Sequence, residues 1–599
     1  MPRLIHPSGR LAGQDRSAPL PRARPTKNVP QPWDYLIVTA SNDAQARAYE
    51  SQLKLRHRLR FLPHVRHVLV VADPEGRRVG SGGSTLCCLM QVVNREVAKV
   101  RGLRSRPASS SSRPTVFSFG FGSKARDEDE AFLGTLGALK KLRILIIHAG
   151  GDSRRLPAYG PCGKIFIPVP GQGDVRSGVA LFDRIAPAFL KLPPGRDGWG
   201  QIVIAAGDAL ILFDPSQVSL DHPGLTALAC PDTPEQASKH GVFCPGNSGQ
   251  VRRYLQKPSP AAQRTHGALN RAGHSLLDIG IMSFDSTMAV ALFRAFGIPP
   301  ARDGQLVWPA AAKREVLARG VDFFREICCA MGEAATAAHH RQQAWAAGSG
   351  WSAAGLKRIF DALVGVPFHL EAIPQARFLH FGTTRQLITS GFDLRQHDRA
   401  GVASSAPLSL NNAVQSAGKV HGADAWVEGC RLRAPLNLGG RNVVIGVNVD
   451  QPLTLPENAG LDVLRGASRA GKPVWFVRLY GIGDTFKDSA TQGGTFCGMP
   501  LREWLAAVGA KPAVLWDRAV PTHQRSLWNA RVFPAETTPG GYRRWLWMYA
   551  PAQATLAQRQ AFLAADRYSA AEINAFADQE DFFARRRRLR QRGASAAAG

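Results

Sequence analysis

No run of about 18 or more apolar residues occurs in the 599-residue chain, so a membrane-spanning helix is not expected. Residues 1–31 are rich in Arg, Pro and Ser and contain no apolar core segment. They therefore do not read as a secretory signal, and residues 1–32 are expected to be a flexible basic tail. None of the nine cysteines has the paired CxxC spacing of a metal site. Cys87-Cys88 and Cys328-Cys329 sit in apolar surroundings, where free buried thiols are usual. The odd cysteine count and the absence of a signal point to a reducing cytoplasm. Acidic residues are also scarce, with 46 Asp and Glu against 75 Lys and Arg, a net charge of +29. No zinc-finger or RNP-like motif accompanies that charge, so nucleic-acid binding is the weaker reading. A surface suited to anionic substrates is the stronger one. The densest basic block, Arg585 to Arg588 with Arg590 and Arg592, ends a predicted helix and reads as a solvated tail.

What is present is a globular composition, 44% hydrophobic and 20% charged, in a chain long enough for two or three units. Residues 33–40 (WDYLIVTA) and 67–72 (HVLVVA) read as buried strands, each closed by turn residues. Residues 80–84 (GSGGS) read as a Gly-rich turn before a helix, and 104–114 (RSRPASSSSRP) as a low-complexity loop. Strand signals return at 143–147 and 201–205. Strands alternating with helices predict an α/β domain over 33–366 with a mainly parallel sheet. After about Pro367 the texture changes to short β-branched runs broken by Gly and Asn, predicting stacked short strands of parallel β-helix type over 367–540. Residues 541–599 read as helical with a basic tail, and Ser569 with Glu572 forms a capping box.

The segment with most chemical content is 145–170, LIIHAGGDSRRLPAYGPCGKIFIPVP. A buried strand runs into Gly150-Gly151, where backbone amides can approach phosphates closely. Arg155 and Lys164 supply positive charge for a triphosphate and for the charge that develops on it. The alternative, an ordinary strand-to-helix turn with surface cations, explains the two glycines but not the cations in the same arrangement. A second strand, 202–206, ends in Gly207-Asp208 and places a carboxylate at the carboxyl edge of the sheet, where open α/β sheets bind ligands. Asp208 is the first candidate Mg²⁺ ligand, since that ion takes one or two carboxylates plus phosphates. A turn-forming Asp is the bland reading. Lys257, in LQKPS, reads on its own as a surface turn.

The signature resembles that of the sugar nucleotidyltransferases, GGxGxRL followed by a Lys. Gly150, Gly151, Arg155, Leu156 and Lys164 fall on its positions, and Ser153 departs from it where Gly is frequent. The form HAGGxSxRLP…GKI is similar to the fucose-1-phosphate guanylyltransferases and the N-terminal half of bifunctional fucokinase/guanylyltransferases. Further pieces at 381–385 (FGTTR), 426–429 (WVEG), 480–487 (YGIGDTFK), 526–534 (SLWNARVFP) and 567–578 (RYSAAEINAFAD) extend the resemblance over roughly residues 33–587.

This resemblance implies a Rossmann-like nucleotidyltransferase domain that makes a nucleotide sugar, GDP-fucose, from GTP and L-fucose 1-phosphate with release of pyrophosphate. It implies catalytic roles for Arg155 and Lys164. It also implies sugar-phosphate binding by Lys257, His240 and Gly241, metal binding by Asp208, and a second metal-ligand or sugar-contact role for Asp278, whose plain alternative is strand-end polarity. Gly80, Gly82 and Gly83, with Gly150 and Gly151, would cradle the nucleotide, the first three brought in by a rearranged strand order, with a purely structural turn as the rival reading of those three. Bifunctional members continue into a GHMP-type kinase whose phosphate loop is not seen in this sequence, so a separate sugar kinase is the expected source of the sugar 1-phosphate. A non-catalytic nucleotide-sugar-binding or kinase-partner protein is the alternative, to which Ser153 and Gln256 leave room.

Overall fold

The computed structural model describes residues 31–100, 134, 137–151, 153–174, 176–246, 249–300, 305–373, 376–399, 401–402, 404–490 and 493–598. Residues 1–30 of the expected tail and the Ser-rich stretch 104–114 lie outside them. The structure is mixed α/β, with parallel and antiparallel sheets and helices.

Four strands form the parallel centre of the main sheet: β1 (Trp33–Ala40), β2 (Val65–Ala72), β3 (Arg143–His148) and β4 (Gln201–Ala206). Residues of β1, β3 and β4 alternate between two cores. Tyr35, Ile37, Ile144, Ile146, Ile202 and Ile204 face one. Leu36, Val38, Leu145, Ile147, Val203 and Ala205 face the other. Both faces are thus covered, which is why these strands read as near-continuous apolar runs. Helix α1 (Asp43–Arg58) follows β1, its N-terminus capped by Asn42 accepting from the Gln45 amide.

The sheet is less parallel than the alternation predicts. After the short β5 (Ala209–Leu212) and β6 (Leu225–Asp232) comes the hairpin β7 (Gly241–Pro245) and β8 (Val251–Gln256). The long β9 (Ser275–Phe284) then runs antiparallel to both β4 and β6. The Gly-rich element also differs from expectation. It is the first turn of helix α2 (Gly80–Val100), with the Gly82 and Gly83 amides donating to the Val321 carbonyl. A Cβ at either position would press on Val321 or Val79, so these glycines serve close packing.

The change of texture after Pro367 is not where the sheet ends. β10 (Phe368–Ala372) pairs with β6, and β11 (Arg377–His380) pairs antiparallel with β5. A four- or five-residue strand looks alike whether it extends a sheet or opens a coil. From Leu408 the chain winds into three parallel ladders, of two- and three-residue strands except for the nine-residue strand Ala459–Ala467 that ends one of them. One ladder sets Trp426 beside Val443, and Val443 beside Gly460. Polar side chains bridge rungs 17 residues apart, as Asn437 does to Thr454 and Arg441 to Asn458.

The basic block is solvated only in part: Arg587, Arg588 and Arg592 are exposed, but Arg586 is buried. The last helix, Gln579–Ala598, turns Phe582, Arg586 and Leu589 onto one buried face. Arg586 is 4% exposed and grips the fully buried Glu428, with Nε 2.9 Å from Oε1 and Nη2 2.5 Å from Oε2. Arg585 donates to the Gly429 carbonyl and to Asn448 Oδ1. Glu428 also accepts from Asn411 Nδ2 and from the Tyr159 hydroxyl, which in turn accepts from Trp426 Nε1 at 2.9 Å. The signature loop, the ladders and the last helix therefore share one core, an unbroken cluster running from Leu145 through Tyr159 and Trp426 to Phe582. All nine cysteines are free. Cys88, Cys328 and Cys329 are buried and Cys87 is partly so. No helix among the described residues is long and apolar enough to cross a membrane.

Candidate active site

β3 and β4 pair with His148 beside Ala206. Two residues beyond that rung come Gly150 on one strand and Asp208 on the other, so the parallel register delivers both to the carboxyl edge together. The chain after β3 is held tightly. The Tyr49 hydroxyl of α1 donates to the Ala149 carbonyl at 3.1 Å. A Cβ at Gly163 would collide with that same hydroxyl, and Gly163 has φ +69, so only glycine serves there. Gly163 leads directly into a single 3-10 turn, Lys164–Phe166. That turn sends Lys164 back to the sheet edge, with Nζ 2.9 Å from Asp208 Oδ2.

Asp208 has a second basic neighbour, a histidine. β11 pairs with β5 so that His380 stands opposite Ala209, and His380 Nε2 lies 3.5 Å from Asp208 Oδ2. Burial alone would raise the Asp208 carboxyl, but Lys164 and His380 outweigh it and hold the group well below the usual carboxylate range.

Two cavities meet at Asp208. The first, about 150 Å³, is bounded by Gly150, Lys164, Ser81, His148, Gly280 and Phe324. The second, about 180 Å³, is bounded by His240, Gly241, Lys257, Asp278, Phe378 and His380. Asp208, Gly280 and Phe324 line both.

The second cavity is built on the β7–β8 hairpin. Gly241 pairs with Gln256, and the Lys257 amide donates to the His240 carbonyl at 3.0 Å, so the two side chains leave the hairpin side by side. Burial, then the nearby His380, Lys257 and Lys239, pushes the His240 imidazole down to about 4, so it is neutral near pH 7. Gly241 is small of necessity, because the Tyr254 hydroxyl occupies the space of a Cβ. That hydroxyl donates to Asp278 Oδ2 at 2.8 Å, while Asp278 Oδ1 accepts from the Gly280 amide at 2.7 Å. Burial nonetheless raises the Asp278 carboxyl to about 6.

The Fucose pyrophosphorylase domain family matches residues 137–538, which contain the edge, the second cavity, the first cavity apart from Ser81, and the ladders. The chain belongs to the fucose pyrophosphorylase family. It is similar to a bifunctional fucokinase/GDP-fucose pyrophosphorylase of Arabidopsis thaliana, 25% identical over 540 residues, covering 84% of this chain and 47% of the relative. It is also similar to an L-fucokinase/L-fucose-1-P guanylyltransferase of Bacteroides fragilis, at 24% over 547 residues, 87% of this chain and 48% of the relative. A fucose-1-phosphate guanylyltransferase of Homo sapiens is 23% identical over 549 residues, 84% of this chain and 81% of the relative. The chain thus spans about half the length of the two bifunctional relatives.

In this fucose pyrophosphorylase family member, Gly150, Lys164, Asp208, His240, Gly241, Lys257 and Asp278 gather around the two adjoining cavities. Arg155 does not join them. Its side chain is exposed and lines neither cavity, and its carbonyl accepts from the Thr384 amide. Gly151 has φ +118 and faces Arg78, whose Nη2 lies 3.8 Å from a Cβ built there. Of the Gly-rich element it is Ser81, not Gly80, Gly82 or Gly83, that lines the first cavity, and its hydroxyl accepts from the Phe323 amide. The chain order does bring this element beside the carboxyl edge of the sheet, since Thr85 Oγ1 of the same helix lies 3.1 Å from His148 Nε2.

Sequence reasoning missed His380 and Phe324. His380 directly precedes the FGTTR segment, which the family resemblance singled out without a role. Phe324 lies in a π-type turn, Phe323–Ile327, a local geometry often found at functional sites. Ser153 adopts φ 53 while 5% exposed, so the position where the wider signature carries Gly has a backbone that favours Gly.

Proposed function

We propose that this chain joins the guanylyl group of GTP to L-fucose 1-phosphate, forming GDP-fucose and pyrophosphate. The observation that carries the reading is the Lys164–Asp208 pair at the junction of two cavities on the carboxyl edge of the sheet. The relatives' names supply the guanine and the fucose.

The triphosphate would occupy the first cavity, over Gly150 and beside Lys164. The sugar phosphate would occupy the second, held by Lys257 and neutral His240. An oxygen of the sugar 1-phosphate attacks the α-phosphorus, the bond from that phosphorus to the β-phosphate oxygen breaks, and pyrophosphate departs in line. The attacking phosphate is already an anion, so no general base is required. Catalysis is then positioning and charge neutralisation.

Asp208 fits a Mg²⁺ ion, because it is held ionised and faces both cavities, and Lys164 would release it as the ion arrives. Asp278 fits less well, since both of its oxygens already accept hydrogen bonds. When bound, Mg²⁺ would neutralise phosphate charge. Arg155 would contribute by swinging inward over the triphosphate. We read the sheet with its helices as the Rossmann-like nucleotidyltransferase unit, extended through β11, and the three ladders as a short parallel β-helix. The working compartment is the cytoplasm, with the sugar 1-phosphate supplied by a sugar kinase reaction.

The test is pyrophosphate release from purified protein with Mg²⁺, a panel of nucleoside triphosphates and a panel of sugar 1-phosphates. Release confined to GTP with fucose 1-phosphate supports the reading. Release with another pair keeps the chemistry and replaces the substrate. No release with any pair, from folded protein that binds nucleotide, favours a non-catalytic binding partner.

A further inference from the structure

A third cavity, about 620 Å³, exceeds both compartments of the candidate active site. It lies between α1, residues 166–180 and the last helix. Seven arginines line it against two carboxylates, Asp578 and Glu580. Three of the arginines are matched by carboxylates of their own: Arg56 by Asp183, Arg176 by Asp174 and Arg586 by Glu428. Arg47, Arg58 and Arg587 stand exposed around the opening. Arg590 lies deeper, donating to Asn411 Oδ1 and the Arg176 carbonyl.

The two lining acids lie at the start of the last helix, about two turns before Arg587. Asp578 caps the last helix by accepting from the Asp581 amide, and Glu580 lies in its first turn. At 1.5 Å per residue, Glu580 and Arg587 are roughly 10 Å apart along the helix, about a Debye length in physiological salt. The crowding is felt by Arg590. Its guanidinium is pushed down to about 10, first by burial and then, against the pull of Glu428, by Arg586, Arg56 and Arg587. The floor is apolar and aromatic, with Phe166 and Phe583 in edge-to-face contact at 6.5 Å. A cavity of this volume with an apolar floor and a cationic rim matches a phosphorylated small molecule.

We propose that this cleft is a second anion site, taking a small ligand that carries two or more phosphates. It backs onto the catalytic loop. Phe166 is two residues from Lys164 and packs on Tyr49, whose hydroxyl holds the Ala149 carbonyl. The proposal does not rest on the guanylyl-transfer reading.

The experiment is calorimetric titration of the full chain carrying Lys164→Ala with inorganic tripolyphosphate, so that the active-site lysine is absent. One equivalent is expected to bind, with affinity falling steeply as salt rises. Adding Arg47→Glu and Arg587→Glu should weaken binding at least tenfold, and the milder Arg58→Ala with Arg587→Ala should weaken it severalfold, with circular dichroism unchanged. Absence of binding, or binding unchanged in both sets of variants, overturns the proposal. So does tighter binding of a single-stranded RNA or of a poly-glutamate peptide than of tripolyphosphate, which would make the cleft a macromolecular contact.

Discussion

Lys164 Nζ sits 2.9 Å from Asp208 Oδ2, although the two residues lie on different loops 44 positions apart. The pair sets the charge of the candidate active site. Replacing Lys164 with Ala should lower pyrophosphate release by about 10²–10³, the effect of removing one aimed electrostatic donor. It should also let burial raise the Asp208 carboxyl. In the parent chain that carboxyl is depressed. The stability from its contacts is therefore present above its ordinary value of 3.8 and is lost only as pH falls through a still lower folded value. A pH–rate profile of the parent should show no acid limb from Asp208 above pH 4.

His380 approaches the same Asp208 oxygen that Lys164 contacts. His380→Ala should raise the Mg²⁺ concentration needed for half-maximal activity while leaving circular dichroism unchanged. An unaltered Mg²⁺ requirement would show that His380 does not position the carboxylate.

The Arg586–Glu428 pair is buried on both sides. Arg586→Ala would strand Glu428 without a counter-charge and should cost about 3–5 kcal/mol. Replacing both residues with Leu should cost less than Arg586→Ala alone. Urea unfolding of Arg586→Leu, Glu428→Leu and the double Leu variant measures the coupling.

Three histidines share one direction. His148, His240 and His340 are each lowered from 6.5 to about 4, chiefly by burial. Between those values the unfolded chain binds the extra protons and the folded chain does not. Stability is therefore full above about pH 6.5 and falls as pH drops toward 4. His340 lies outside the candidate site, so His340→Gln should narrow the gap between urea midpoints at pH 7.5 and pH 5.

Ser153 occupies left-handed backbone. Ser153→Gly should retain activity and shift stability by no more than about 1 kcal/mol, on the stabilising side. Ser153→Val should destabilise by at least about 1–2 kcal/mol, measured by thermal unfolding.

Much of the site was legible because its parts are local. A buried strand followed by Gly150, another followed by Asp208, and a hairpin end carrying Lys257 each announce themselves within a few residues. Parallel register then collects strand ends at one edge without further instruction. The Ser569–Glu572 capping box was legible for the same reason, and it is present. His380 was not legible, because its place depends on β11 returning to pair with β5. Nor was the 17-residue rung spacing, since strands of two or three residues are too short to display a period. The basic block was misread because a run of four arginines says nothing about which helical face is buried, and Arg586 faces inward.

The sequence by itself determined the alternating buried strands, the glycine-bearing loops after them and the residue types available for phosphate chemistry, since these follow from short-range pattern and backbone conformation. Only the tertiary structure decided the partner of each charge: Asp208 for Lys164, Glu428 for Arg586, and solvent for Arg155. Those pairings depend on contacts between segments distant in the chain, and so do burial and every shifted proton affinity that follows from it.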